Sequence, residues 1–192
     1  MARAQPEPMR SDAQQNRDLI LKVALEAFTA SSTASLNSIA KKAGLGIGTI
    51  YRHFPTREAL VLAVYRTEVQ NVVESAPALL ETMPPFEALR AWMELVAHYG
   101  MAKAGLADAL STATTSYEGL AAETYGPVIG ALSMLLQANE RAGTIRGNVD
   151  PDDVLLMMGF MWRIDPKSDW QAQSKRLLDI LMDGLRASAP SA

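Results

Sequence analysis

The sequence has no cysteine and only two histidines, His53 and His98, among 192 residues. The first absence excludes a disulfide framework, a thiol nucleophile and a thiolate zinc site. The second leaves no paired-histidine spacing, so neither a metal nor any other cofactor is expected. Long apolar runs are missing too: the longest, Val154–Trp162, is interrupted by Gly159 and falls far short of the roughly 20 residues needed to span a bilayer. No apolar core follows the arginines of MARAQPEPMRSDAQQNR, so no secretory signal is read and a cytoplasmic location is expected. Gly44, Gly46 and Gly48 follow no strand and do not have the spacing of a dinucleotide loop. With no nucleophile–base pair either, an enzyme is the least supported class.

The chain does have enough apolar residues, 48%, to fill a core. Its net charge of −3 conceals an asymmetry. Residues 1–70 hold nine basic and six acidic side chains, net +3, while the remainder holds nine basic and fifteen acidic, net −6. Such an imbalance suggests an anion-binding module joined to a different one.

The apolar periodicity is helical throughout, and the expected fold is all-α with about nine helices. Residues 1–11, with Pro6 and Pro8, read as a flexible arm. A first helix from about Asp12 buries Ile20, Val23, Ala24, Ala27 and Phe28. Ser35 caps a second helix with Ile39, Ala40 and Ala43 inward, and Gly44 ends it. A third short helix carries Ile47, Ile50, Tyr51 and Phe54. Thr56 then caps a connecting helix through Leu60, Val64 and Val72 to about Ser75, with Glu58 in its first turn. Beyond Pro77 we expect a helix from Phe86 to Tyr99, pieces at 105–113 and 118–125, and a helix opening at Pro127 and ending near Ala142. Asp150-Pro151 opens a helix to about Ile164, and a last one covers 169–186. Asp152 and Asp153 are read as partners of a helix N-terminus rather than as an acid/base dyad. The expected division is an arm at 1–11, a head of short helices with its connecting helix at 12–75, and a larger helical body at 76–192.

Ser35–Arg57, SLNSIAKKAGLGIGTIYRHFPTR, carries the functional signal. Two short amphipathic helices around a glycine-containing turn are the sequence form of a helix-turn-helix. Ile50 and Phe54 pack inward, leaving Thr49, Tyr51, Arg52 and His53 to face a groove or a phosphate backbone. Gly46 and Gly48 allow close approach at a helix N-terminus, where free amides favour phosphate. Lys41, Lys42 and Arg57 add positive charge on either side.

At SIAKKAGLGIGTIYRHFPTREAL the chain resembles the TetR family of bacterial transcriptional regulators, over roughly residues 17–66. The resemblance implies an N-terminal three-helix DNA-binding domain and a larger helical domain for effector binding and dimerisation. It places Thr49 at a base or phosphate contact, Tyr51 at phosphate, and His53 at either. Arg57 stands where a basic residue holds the DNA backbone, Ser35 where the helix cap touches phosphate, and Arg17 where the first helix reaches it. Ile47, Gly48 and Arg52 lie at variable positions that set sequence preference, and of these only Arg52 is able to grip guanine with two bonds. The loop TASSTAS after Phe28 departs from the family pattern in lacking a glycine and an aromatic.

The implied function is a homodimeric repressor, released from a palindromic operator on double-stranded DNA by a small hydrophobic or aromatic effector. The alternative is a small-molecule binding protein without operator-specific DNA binding. Eight of ten methionines follow residue 80, and methionine suits either irregular core or an adaptable apolar pocket. From the family architecture, the candidate pocket lining is Trp92, Tyr99, Met134, Leu135, Met157, Phe160 and Met161. The helix from 151 is apolar all round while that from 169 is one-sided, so the two are expected to pair with their copies across a homodimer.

Overall fold

The structure, a computed structural model, describes residues 7–31, 33–113, 117–159, 164–165 and 168–186, and the regular elements among these are all helices. They are α1 (Glu7–Ala30), α2 (Leu36–Ala43), α3 (Ile47–His53), α4 (Arg57–Thr82), α5 (Pro85–Ala113), α6 (Tyr117–Arg141), α7 (Pro151–Met158) and α8 (Trp170–Arg186). Helix α1 starts five residues before the expected position and takes in Pro8 in its first turn. A proline there forfeits no intrahelical bond.

The chain divides into two compact units. The first reaches up to Thr67 and includes the segment of α5 from Gly105; the second comprises Glu68–Ala104 together with α6, α7 and α8. The boundary therefore falls inside α4, earlier than residue 75, and α5 contributes to both units. In the first unit, Ile20, Ala24, Ala27 and Phe28 of α1 are buried with Leu36, Ile39 and Ala40 of α2 and Ile50 of α3. Phe54, Leu60, Val61, Val64 and Tyr65 extend that core, and Leu110 near the end of α5 is fully buried.

The second unit has its own core, built on Leu89, Trp92, Met93 and Val96 of α5, Leu132, Leu135 and Leu136 of α6, and the inner faces of α7 and α8. Val154, Leu155 and Met158 face inward on α7, and Leu178, Leu181, Met182 and Leu185 on α8. The Trp92 indole N–H donates to the Val72 carbonyl at 2.9 Å, satisfying the one polar atom of a fully buried ring. Arg90 spans from α5 to α8, with Nη1 2.5 Å from Asp179 and Nε 2.8 Å from Glu94.

Two expected breaks are absent. Helix α4 continues through Pro77 and α6 through Pro127. An interior proline costs about 3 kcal/mol through a lost bond and a clash one turn back. Each is exposed on the outer side of a helix whose inner side stays apolar on both flanks: Val72 and Ala76, then Leu79 and Leu80; Leu120, then Ala131, Leu132 and Leu135. Burying those side chains at about 1.5–3 kcal/mol for a large one offsets the penalty. Helix α5 likewise runs unbroken over the region expected to hold a separate piece at 105–113. Helix α7 is assigned to Met158, and the expected continuation over 160–163 lies outside the described residues. Its start matches expectation: Asp150 caps it, accepting from the Asp152 N–H at 2.8 Å, with Pro151 at the first position. The Asp152 carboxylate accepts from the Tyr125 hydroxyl at 2.5 Å, and that bond raises the phenol's pKa.

Buried Asn139 joins three segments of this unit. Its Nδ2 donates to the carbonyls of Pro85 at 2.7 Å and Leu135 at 2.9 Å, and its Oδ1 accepts from Thr144 at 2.7 Å. Asn139→Ala leaves the Pro85 carbonyl and the Thr144 hydroxyl without this partner. We expect a loss of about 1–3 kcal/mol in unfolding free energy, read as a lower midpoint in urea denaturation.

Candidate nucleic-acid interface

Local chemistry shapes the helix-turn-helix residue by residue. The Ser35 hydroxyl accepts from the Ser38 N–H at 3.2 Å and caps α2. At the other end Gly44 adopts φ +67°, a left-handed conformation that closes the helix while the Leu45 N–H donates to Ala40 at 3.0 Å. Gly46 is extended and releases the chain into α3, where only Ile50 is buried. Phe54 ends α3 with its ring in the core, and the Thr56 hydroxyl accepts from the Ala59 N–H at 3.1 Å to cap α4.

The side chains of α3 differ in exposure. Tyr51 is 51% exposed, Arg52 and Gly48 are exposed, and Ile47, Thr49 and His53 are half-buried. A methyl group built on Gly46 or Gly48 would meet nothing within 4 Å. The protein's own packing therefore does not demand glycine there; what glycine keeps open is space outside the helix. Arg52 lies back along α3, its Nε donating to the Gly48 carbonyl at 3.2 Å and its Nη2 to the Thr49 hydroxyl at 3.3 Å. Both bonds are exposed and long, so the side chain gives up little on reaching outward. Lys41 and Lys42 are exposed in the last turn of α2.

Arg17 and Arg57 are placed differently. The Arg17 guanidinium sits over the Phe54 ring, 4.8 Å from its centroid, and is half-buried. Arg57 stacks at 5.1 Å over Phe28 and donates from Nε to the Ala34 carbonyl at 3.1 Å. These pairings tie α1 to the end of α3 and the start of α4 to the loop before α2. Phe28 and Phe54 thus carry a second duty as platforms for cations. No sequence signal marks it, because each ring lies 29 or more residues from its arginine.

The described members of the expected pocket set differ in burial. Trp92 and Leu135 are fully buried in the core of the second unit, and Tyr99 is packed against that core. Met134 at 43% and Met157 at 51% exposure face outward. Phe160 and Met161 lie outside the described residues. Among the described residues no group of three or more His, Asp or Glu is placed to hold a metal ion, and no helix is long and apolar enough to cross a membrane.

A capped two-helix reader with a basic, open outer face, joined to a separate helical unit, defines a helix-turn-helix DNA-binding protein of two-part design. The comparisons with known proteins narrow this. Residues 20–64 match the family described as "Bacterial regulatory proteins, tetR family", and residues 84–187 match "Transcriptional regulator SbtR-like, C-terminal domain". The chain belongs to the TetR family of transcriptional regulators. A solved TetR transcriptional regulator from Streptomyces coelicolor is 41% identical, covering 88% of this chain and 98% of that one with a TM-score of 0.82. A TetR regulatory protein from Mycobacterium vanbaalenii is 36% identical over 93% of this chain and 99% of that one, with a TM-score of 0.79. An HTH-type transcriptional regulator of Staphylococcus aureus is 38% identical over 63 residues, and that match spans only 34% of its length.

Arg57→Lys keeps the charge but loses the guanidinium over the Phe28 ring and the fixed donor to Ala34. It should lower unfolding free energy by about 1 kcal/mol, measured by thermal denaturation with circular dichroism. Ser35→Ala should cost a similar amount, about 1 kcal/mol, through loss of the cap.

Proposed function

We propose that the protein is a homodimeric repressor that binds a palindromic operator and is released by a small hydrophobic or aromatic effector. The observation that carries the DNA-reading half is the exposed face of α3, where Tyr51, Arg52 and Thr49 surround two glycines with open space above them. Tyr51 and His53 would contact phosphate and Arg52 would read a base, while Ser35, Arg17 and Arg57 would approach the backbone from the flanks. In a dimer two such helices enter successive major grooves about 34–36 Å apart.

Dimerisation has separate support. Leu156 is 78%, Met157 51% and Ile180 70% exposed, on α7 and α8. A cavity of about 250 Å³ between those helices, bordered by Met157, Ile180 and Gly184, adjoins them. Large apolar side chains left in water on two adjoining helices favour a covering partner, and a second copy paired through the same helices supplies one.

The effector would act on the helical body by binding more tightly to the conformation that does not fit DNA. Its site would lie among the helices that carry Trp92, Tyr99, Leu135 and Met157. The alternative of a binding protein that no longer reads DNA rested on the unusual loop after Phe28. That loop is closed by ordinary bonds, with Ala34 N–H to Ser31 carbonyl at 3.0 Å and the Ser31 and Thr33 hydroxyls 3.0 Å apart.

Random-library DNA selection with the purified protein should return a palindrome, and a library with no enriched palindrome sinks the repressor reading. Arg52→Ala should relax preference at one base pair of each half-site by about 1–3 kcal/mol. Ile180→Glu should convert a dimer to a monomer in size-exclusion chromatography with light scattering, and a wild type that is already monomeric at micromolar concentration refutes the interface.

A further inference from the structure

The second unit contains a cleft that is lined neither by the DNA-reading face nor by the exposed Leu156, Met157 and Ile180 of the proposed dimer surface. It lies between α5 and the first two turns of α8, with a volume of about 170 Å³. Ala97 and Leu178 form an apolar floor, and Trp170 and His98 form one wall, their rings meeting edge to face at 4.9 Å between centroids. The His98 ring is held by its Nδ1, which donates to the Glu94 carbonyl at 2.9 Å. In the neutral ring that leaves Nε2 as the acceptor.

Ser174 also lines this cleft, and it is the anomaly of the region. The residue is only 5% exposed, yet its hydroxyl has no hydrogen-bond partner among the described residues. A buried hydroxyl is normally paired, and one that is not calls for an absent partner. The charges at and behind the rim balance, with Lys175 and Arg90 matched by Glu94 and Asp179, both of which Arg90 holds. The rim therefore offers no net charge to select an ion.

We propose that this cleft binds a small, uncharged, single-ring molecule bearing one hydroxyl group, with the Ser174 hydroxyl as its hydrogen-bond partner. The volume is close to that of the roughly 150 Å³ apolar cavity known to accept benzene. An aromatic wall and an aliphatic floor suit a ring better than a branched chain, and a hydroxyl is able to donate to or accept from serine. This site is distinct from the pocket expected around Trp92 and Leu135. It goes beyond the DNA-reading proposal and is tested by binding alone, so either idea is able to fail without the other.

The test is calorimetric titration of the full-length protein with phenol and, separately, with toluene as a ring of similar shape lacking the hydroxyl. Phenol should give saturable binding to the wild type. Ser174→Ala should weaken phenol about 2- to 10-fold, the range of one neutral hydrogen bond, and leave toluene unchanged. The variant should melt no lower than the wild type, because it removes a buried group that has no partner in the unliganded protein. Absence of saturable phenol binding overturns the proposal. So does an unchanged phenol affinity in Ser174→Ala, an equal loss for both ligands, or a lowered melting temperature showing that the hydroxyl already has a protein partner.

Discussion

Helices of eight and seven residues have almost no stability of their own in water, because nucleating a turn fixes several dihedrals for one hydrogen bond. Helices α2 and α3 are that short, and everything the reading face presents depends on what holds them. Ile39, Ala40 and Leu36 on one, Ile50 on the other and Phe54 just beyond are buried in a core whose α1 share is Ile20, Ala24, Ala27 and Phe28. The two caps, Ser35 and Gly44, set where α2 begins and stops, so the angle at which α3 leaves is decided within a few residues. Tyr51 and Arg52 are outside because Ile50 and Phe54 are inside.

The second unit obeys a different constraint. Its helices are long enough to bury several turns of side chains, and that burial outweighs local penalties. Pro77 remains within a continuous helix because the apolar faces on either side of it share one core, and Pro127 lies between buried Leu120 and the core residues Ala131, Leu132 and Leu135. Buried polar atoms are met individually, Trp92 by the Val72 carbonyl and Asn139 by Pro85, Leu135 and Thr144. Against that background an unpaired buried hydroxyl such as Ser174 stands out, since neighbouring polar groups show that the fold is able to supply partners where it needs them.

These two regimes explain what the sequence could show. In the head, Ser35, Gly44, Thr56 and the Ile50–Phe54 spacing act over three to five residues, so reading them in order recovers the caps, the turn and the outward set. In the body, the outcome depends on contacts between distant segments. Proline reads as a break until the faces flanking it are known to share a core. Met134 and Leu135 are adjacent and both apolar, yet one is 43% exposed and the other fully buried, because neighbours on one helix point about 100° apart. Composition left core and pocket both open for the methionines; only packing separates the residues that fill a core from those that face outward.

Charge shows the same limit from the other side. The head's excess of +3 counts Arg17 and Arg57 equally with Lys41, Lys42 and Arg52. The two arginines rest on Phe54 and Phe28 and hold the fold together, whereas the lysines and Arg52 are exposed. A guanidinium on an aromatic face keeps its charge, so all five contribute to the long-range field that attracts a polyanion. Direct contact is another matter, since it requires a donor free to turn toward the ligand. Arg57 has already committed Nε to the Ala34 carbonyl and its guanidinium to the face of Phe28. The count of charges therefore measures attraction, while the stacking and hydrogen bonds of each side chain decide which of them are positioned to read.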